Sequence, residues 1–346
     1  MLKKFFAEVR DSRVAQILLF AHFLYFVFLF LQLFEISSSY EVLILREVDD
    51  IAFQHSLRKI HNMWGLLEFG RGLRMNDYAY GSLFWNVHAL ATYPFYLLRN
   101  LIGESPLIVS ARMISFLFSY LGLVYLFKIL KYFRVKTAQA LAILLLFCSF
   151  PTFAYFSQRF GTVAMVFCFS VSSIYYALQF DGSKDSRKKL IWAFALCVGT
   201  KLSGILIAPV IALLVFFHYF EQEKKSFLEA LTNTMVLAFK SSLLGTLLMA
   251  PGLFAGVIKF EYATAFLNTL SHHLGTVSTG QSTFSFADNF LYGVFSFSLS
   301  PILYFCLAVL FLIYAFKDWL KEKTSNHLNL QKFILIFSSM ILAFVL

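Results

Sequence analysis

VAQILLFAHFLYFVFLFLQLFEI, residues 14–36, is one nearly unbroken apolar run, long enough for a single membrane crossing. Lys3, Lys4, Arg10 and Arg13 stand before it. The run is too long for a signal-peptide core and has no small-residue cleavage site behind it. It reads as a retained first span with the N-terminus inside. Runs of the same kind fill most of the 346 residues: Ser82–Ile102, Met113–Leu130, Thr137–Phe156, Gly161–Phe180, Leu190–Phe220, Ser241–Ile258, Phe290–Phe316 and Phe333–Leu346. Composition agrees: 59% of residues are hydrophobic, 14% charged and 19% aromatic, and the mean hydropathy is +0.72. A soluble domain is about 25% charged, so an ordinary soluble enzyme, a disordered chain and a fibrous repeat are excluded. The chain reads as an all-α polytopic membrane protein, a single transmembrane domain over residues 1–346. It carries 29 basic and 19 acidic residues. That excess fits cytoplasmic loops better than nucleic acid.

Topology follows from charge. If Ser82–Ile102 crossed, Lys128, Lys131, Arg134 and Lys136 would lie outside, against the positive-inside rule. Asn86, His88, Thr92, Pro94 and Arg99 also make that segment expensive in lipid. It is therefore expected to be an interfacial or re-entrant helix. Leu190–Phe220 is about 46 Å as one helix, too long for one straight crossing, and Gly199-Thr200-Lys201 falls within it. Two limbs would return Lys224 and Lys225 inside, although the first limb is short. About nine crossings result, with seventeen of the 29 basic residues inside. Two outer segments of substance remain: Ser37–Arg112, with seven basic and seven acidic residues, and Lys259–Asn289. Cys148, Cys168, Cys197 and Cys306 all lie in apolar runs, without disulfide or zinc spacing, and are expected to pack.

The first outer loop, 37–112, concentrates the chemistry. Arg46-Glu47-Val48-Asp49-Asp50 opens it. Phe53, Leu57, Ile60, Trp64 and Leu67 then recur at steps of four and three, one apolar stripe on a helix. His55, Arg58, Lys59, His61 and Glu68 fill the other face. Such a helix lies along the membrane surface and sets Asp49 and Asp50 at its start. Two adjacent carboxylates there suit a general base or a metal anchor; equally, Asp commonly caps a helix.

Further on come Asn76-Asp77-Tyr78-Ala79-Tyr80-Gly81-Ser82-Leu83-Phe84, a Pro-containing helix and Ala111-Arg112-Met113-Ile114-Ser115. With the acidic pair and the amphipathic helix, this order resembles the GT-C superfamily of lipid-linked-sugar glycosyltransferases, closest to its protein O-mannosyltransferase and aminoarabinose transferase branch. Gly199-Thr200-Lys201-Leu202-Ser203-Gly204 is similar to the family's Gly-x-x-Lys-x-x-Gly stretch before a Pro. The resemblance covers roughly Val14 to Phe220 and implies a GT-C-like helical bundle with interfacial helices in the first outer loop. In one respect the chain departs: residues 157–164 match the place of a second family Asp but hold no acid.

The resemblance implies an inverting transfer of a sugar from a polyprenyl-phosphate donor to an acceptor on the outer or lumenal side. The acceptor, whether lipid, glycan or protein, stays open, as does the choice between a bacterial inner membrane and the endoplasmic reticulum. The reaction needs a base for the acceptor proton and cations for the leaving phosphate. Asp50 is the first candidate base, Asp49 the second and Glu47 a weaker third. Arg71, Arg74 and Arg112 are candidate phosphate clamps, since a guanidinium forks onto phosphate oxygens; headgroup snorkelling is the alternative for each. Lys201, the most expensive residue in the spans, is expected to meet the lipid phosphate or to snorkel. His272 and His273 could meet sugar or phosphate, or be loop surface. Tyr78 and Tyr80 line the site or mark the headgroup level. No cofactor is expected: adjacent acids could hold a divalent ion, but no spacing supports one. A flippase or transporter for a lipid-linked sugar is the competing class, although no inverted repeat is evident. A catalytically silent envelope-assembly protein is a third reading, on account of the missing second acid.

Overall fold

The computed structural model describes residues 2–37, 48–65 and 81–249. The described residues are helical, with no strand among them. Among the described residues, four helices are long and apolar enough to cross a membrane: Arg13–Glu35, Ser105–Tyr132, Gly204–Gln222 and Phe227–Met249. The chain is thus a helical integral membrane protein. The runs expected at Phe290–Phe316 and Phe333–Leu346, and the second outer segment 259–289, lie outside the described residues.

The helices are α1 (Leu2–Arg10), α2 (Arg13–Ser37), α3 (Val48–Gly65), α4 (Ser82–Ile102), α5 (Ser105–Tyr132), α6 (Thr137–Ser149), α7 (Pro151–Gln158), α8 (Val163–Leu178), α9 (Lys184–Thr200), α10 (Ala208–Phe217) and α11 (Phe227–Met249). Between α9 and α10 runs a 3-10 turn, Leu202–Ile207, and after α10 a π-helical turn, His218–Gln222. Two compact units divide them. Of the described residues, one takes those up to Tyr175, Trp192–Gly204 and 241–249; the other takes Tyr176–Ile191 and Ile205–Lys240.

In the first unit, α2 turns Ile17, Phe20, Phe23, Leu24, Phe28 and Leu31 outward and buries Leu29 and Leu33. An apolar exterior of this kind suits acyl chains, not water. Leu29 and Leu33 join Phe116, Leu123, Leu144, Cys148 and Phe153 in one core. The few polar groups of α2 bind neighbouring backbone: His22 Nε2 lies 2.8 Å from the Leu141 carbonyl, and the Tyr25 hydroxyl donates to the Cys148 carbonyl at 2.9 Å. Away from water, such carbonyl contacts are what a polar span residue needs. Gly122 lets α5 approach α8; a Cβ there would stand 2.5 Å from the Phe167 ring.

Several sequence expectations need correction. The run Thr137–Phe156 is two helices, because Pro151 starts α7 and Phe150 before it is extended, at φ −65° and ψ 131°. The crossing read at Ser241–Ile258 begins earlier, at Phe227, because Glu229, Asn233 and Lys240 interrupt the apolar count without interrupting the helix. Likewise α5 starts at Ser105, with Pro106 in its first turn, well ahead of Met113. By contrast, α4 has the expected bounds, Ser82–Ile102, and it is absent from the four helices that qualify as spans. Cys148, Cys168 and Cys197 are buried, as packing residues should be; Cys306 lies outside the described residues.

In the second unit, the π-helical turn packs on residue Phe180: its ring centroid is 5.1 Å from His218 and 5.5 Å from Tyr219. Lys225 Nζ lies 4.4 Å above the Tyr219 ring and 2.6 Å from Glu223. This polar knot closes the end of α10.

Candidate functional site

The site is built on α3, α4 and the N-terminal turns of α5, all in the first unit. Leu57, Ile60 and Trp64 of the expected stripe are buried and pack with Phe84, Trp85 and Ala89 of α4, with Ala111 of α5, and with Phe160 and Met165. The amphipathic helix is therefore docked on protein along this stripe. It begins at Val48, so Asp49 and Asp50 stand in its first turn instead of ahead of it as a cap.

His61 was expected on the polar face. It is fully buried, four residues after Leu57 and three before Trp64, and so belongs to the buried stripe. Its Nε2–H donates to the Ala89 carbonyl at 3.1 Å and reaches Thr92 Oγ1 at 3.1 Å. Thr92 in turn donates to the His88 carbonyl at 2.6 Å. His88 is also fully buried, and its Nδ1–H donates to the Phe84 carbonyl at 2.9 Å. Carbonyl acceptors therefore set both tautomers. His61 Nδ1 and His88 Nε2 remain buried without a hydrogen-bond partner among the described residues. Burial pushes both imidazoles down to about 4; at His61 the Ala89 carbonyl opposes this, and the Arg99 guanidinium adds to it. The Tyr96 hydroxyl donates to Asn62, Arg99 covers the Tyr96 ring at 3.9 Å, and Arg58 meets Glu104 at 3.0 Å. The α3–α4 joint thus carries a polar layer that sequence reasoning treated as solvated or merely costly. Helical spacing from Leu57 was the signal for His61.

A second joint links distant stretches. The Gly81 amide donates to the Thr200 carbonyl at 2.8 Å. A Cβ on Gly81 would collide with the Gly199 carbonyl oxygen, so only glycine admits this approach. The start of α4 is thereby tied to the end of α9, one residue before Lys201. Lys201 sits where α9 stops, as its sequence implied, and is half-buried. Its carbonyl accepts the Gly204 amide at 2.9 Å. Gly204 is held tightly, since a Cβ there would lie 2.6 Å from the Cys197 carbonyl.

Arg112 is 1% exposed. Its guanidinium is inside the protein, not snorkelling into headgroups, and a buried guanidinium is held by acceptors. Residues 157–164, the stretch without the second acid, join the same wall. The Phe160 ring stacks on Phe84 at 5.6 Å and approaches His88 at 4.8 Å. Gln158 Nε2 donates to the Leu29 carbonyl and to Gln32 Oε1, each at 3.0 Å. Among the described residues, no group of three His, Cys, Asp or Glu could hold a metal ion. Glu47, Arg71, Arg74, Tyr78, Tyr80, His272 and His273 lie outside the described residues. Of the expected site, the structure brings together the approach to Lys201, the start of α4, and the α3–α4–α5 wall that includes the Asp49–Asp50 helix and Ala111 beside Arg112. Comparison with protein families, with curated proteins and with solved structures found no match to the chain.

Proposed function

We propose that the chain is an inverting membrane glycosyltransferase of GT-C type, which moves a sugar from a polyprenyl-phosphate donor to an acceptor on the outer or lumenal side. The observation that carries this reading is the Gly81–Thr200 contact. It ties together the two stretches that resemble the family, the Tyr-Gly entry to the juxtamembrane helix and the Gly199-Thr200-Lys201-Leu202-Ser203-Gly204 segment, although 118 residues separate Gly81 from Gly199. Lys201 at this joint supplies a cation for the lipid phosphate, with Arg71, Arg74 and Arg112 as further phosphate ligands. The acceptor hydroxyl attacks the anomeric carbon, the carbon–oxygen bond to phosphate breaks, and the polyprenyl phosphate leaves. Asp50, or Asp49 beside it, takes the acceptor proton, on a helix that the buried stripe immobilises. Tyr78, Tyr80, His272 and His273 are proposed to contact the sugar or its phosphate.

The test is sugar transfer from a polyprenyl-phosphate donor by the purified full chain, read beside a melting curve. Asp50→Asn keeps size and polarity and loses the proton acceptor. Turnover should fall by roughly 10²–10⁴-fold, while the loss of a first-turn charge costs at most about 1 kcal/mol. Full activity in both Asp50→Asn and Asp49→Asn would sink the assignment. Movement of intact donor across vesicles without transfer would favour the transporter class.

A further inference from the structure

Helix α1 is nine residues long and sits one short turn before the first span. It is held on its inner face: Val9, Ala15 and Leu141 are buried together, and the Phe5 ring meets Phe127 edge-on at 5.4 Å. Glu8 pins it, receiving Lys131 Nζ at 2.7 Å and the Thr137 hydroxyl. The pin gathers three chain segments, namely α1, the end of α5 and the start of α6. Their outward groups are Phe6, 59% exposed, and the exposed Arg10, Arg134 and Lys136, beside the exposed Arg13 at the start of α2. The acids here are Glu8, engaged by Lys131 and Thr137, and Asp11, 3.4 Å from Arg10. No acid of the described residues pairs with Arg13, Arg134 or Lys136.

One cation is held at a conformational cost. Arg134 follows the last turn of α5 with φ +60°, its amide bonded to the Lys131 carbonyl at 3.0 Å, while Val135 bonds back to Leu130 at 3.1 Å. This left-handed helix terminus is where glycine or asparagine is ordinarily found. An arginine there places a guanidinium at the edge of the patch instead.

We propose that α1, the start of α2, the end of α5 and the start of α6 form a binding surface for anionic phospholipid headgroups in the leaflet where the first span begins. The exposed Phe6 enters the acyl boundary, and Arg13, Arg134 and Lys136 bind headgroup phosphates. This inference is independent of the sugar-transfer reading.

The test is native mass spectrometry of the full chain released from equimolar DOPC and DOPG bilayers, with melting measured in each lipid alone. In the variant Arg13→Gln/Arg134→Gly/Lys136→Gln, the retained DOPG-to-DOPC ratio should fall at least about threefold, and the melting gain given by DOPG should vanish. Melting in DOPC should not fall, because Arg134→Gly relieves a left-handed residue. The control Lys184→Gln/Lys188→Gln/Lys189→Gln removes the same charge from α9 and should keep the ratio. An unchanged ratio in the first variant, or an equal fall in both, overturns the proposal. Wild-type preference for DOPG that survives about 1 M salt would overturn its electrostatic basis.

Discussion

His61 and His88 show how a single residue's surroundings decide its chemistry. Each has one nitrogen bonded to a helix carbonyl and the other buried without a hydrogen-bond partner among the described residues. A second proton would have nowhere to be solvated. Their pKa values, about 4 in the folded protein against 6.5 for the unperturbed imidazole, fix the sign. The unfolded chain binds protons first, so stability is complete above pH 6.5 and falls as pH drops towards 4, by on the order of 3 kcal/mol per histidine at most. Melting measured from pH 7.5 to 4.5 should show this loss. His88→Phe, which removes one buried titrating group, should flatten the profile; an unaltered profile would show that other groups control it. Glycines give a second test at this scale. Gly81→Ala drives a methyl group into the Gly199 carbonyl and should cost about 1–3 kcal/mol or more. Gly65→Ala meets nothing within 4 Å and should be neutral in the same melting assay.

At the scale of elements, the boundaries of α4 were legible because Gly81 and Gly103 flank an unbroken helical pattern; Gly103 takes φ +80° to close it. The break at Lys201 was legible from Gly199 and Gly204. The split at Pro151 and the early start of α11 were not, since a hydropathy run counts apolar residues and is blind to which backbone stays helical. For Lys201, at the end of α9, the expected outcome of Lys201→Met is a nearly unchanged melting temperature and weaker donor binding. Binding of a polyprenyl-phosphate sugar by the purified variant checks this. Affinity equal to wild type would leave Lys201 as a snorkelling side chain.

At the scale of the whole molecule, the distribution of charge predicts how the helices are ordered across the membrane. The loop holding Glu104 is expected outside and that holding Lys136 inside. In a background with its native cysteines replaced, an impermeant thiol reagent should label Glu104→Cys from the outer side and Lys136→Cys only after permeabilisation. Labelling of both positions from the same side would invert or redraw the map. The exposed Arg134 and Lys136 make the inner position accessible, and the half-exposed Glu104 the outer one.

The residues alone determined that this is a helical membrane protein, that Ser82–Ile102 is a discrete helix too polar to count as a span, and that the chain breaks at Lys201. Hydropathy and glycine placement are local properties, written in consecutive residues. Tertiary structure decided which polar residues are buried and which distant stretches meet. His61 leaves the expected polar face because α4 offers it a carbonyl and a hydroxyl. Gly81 matters because the Gly199–Thr200 backbone arrives from 118 residues away. Arg112 lies inside because helices close over it. Such facts depend on where the chain returns, and no window of sequence contains that.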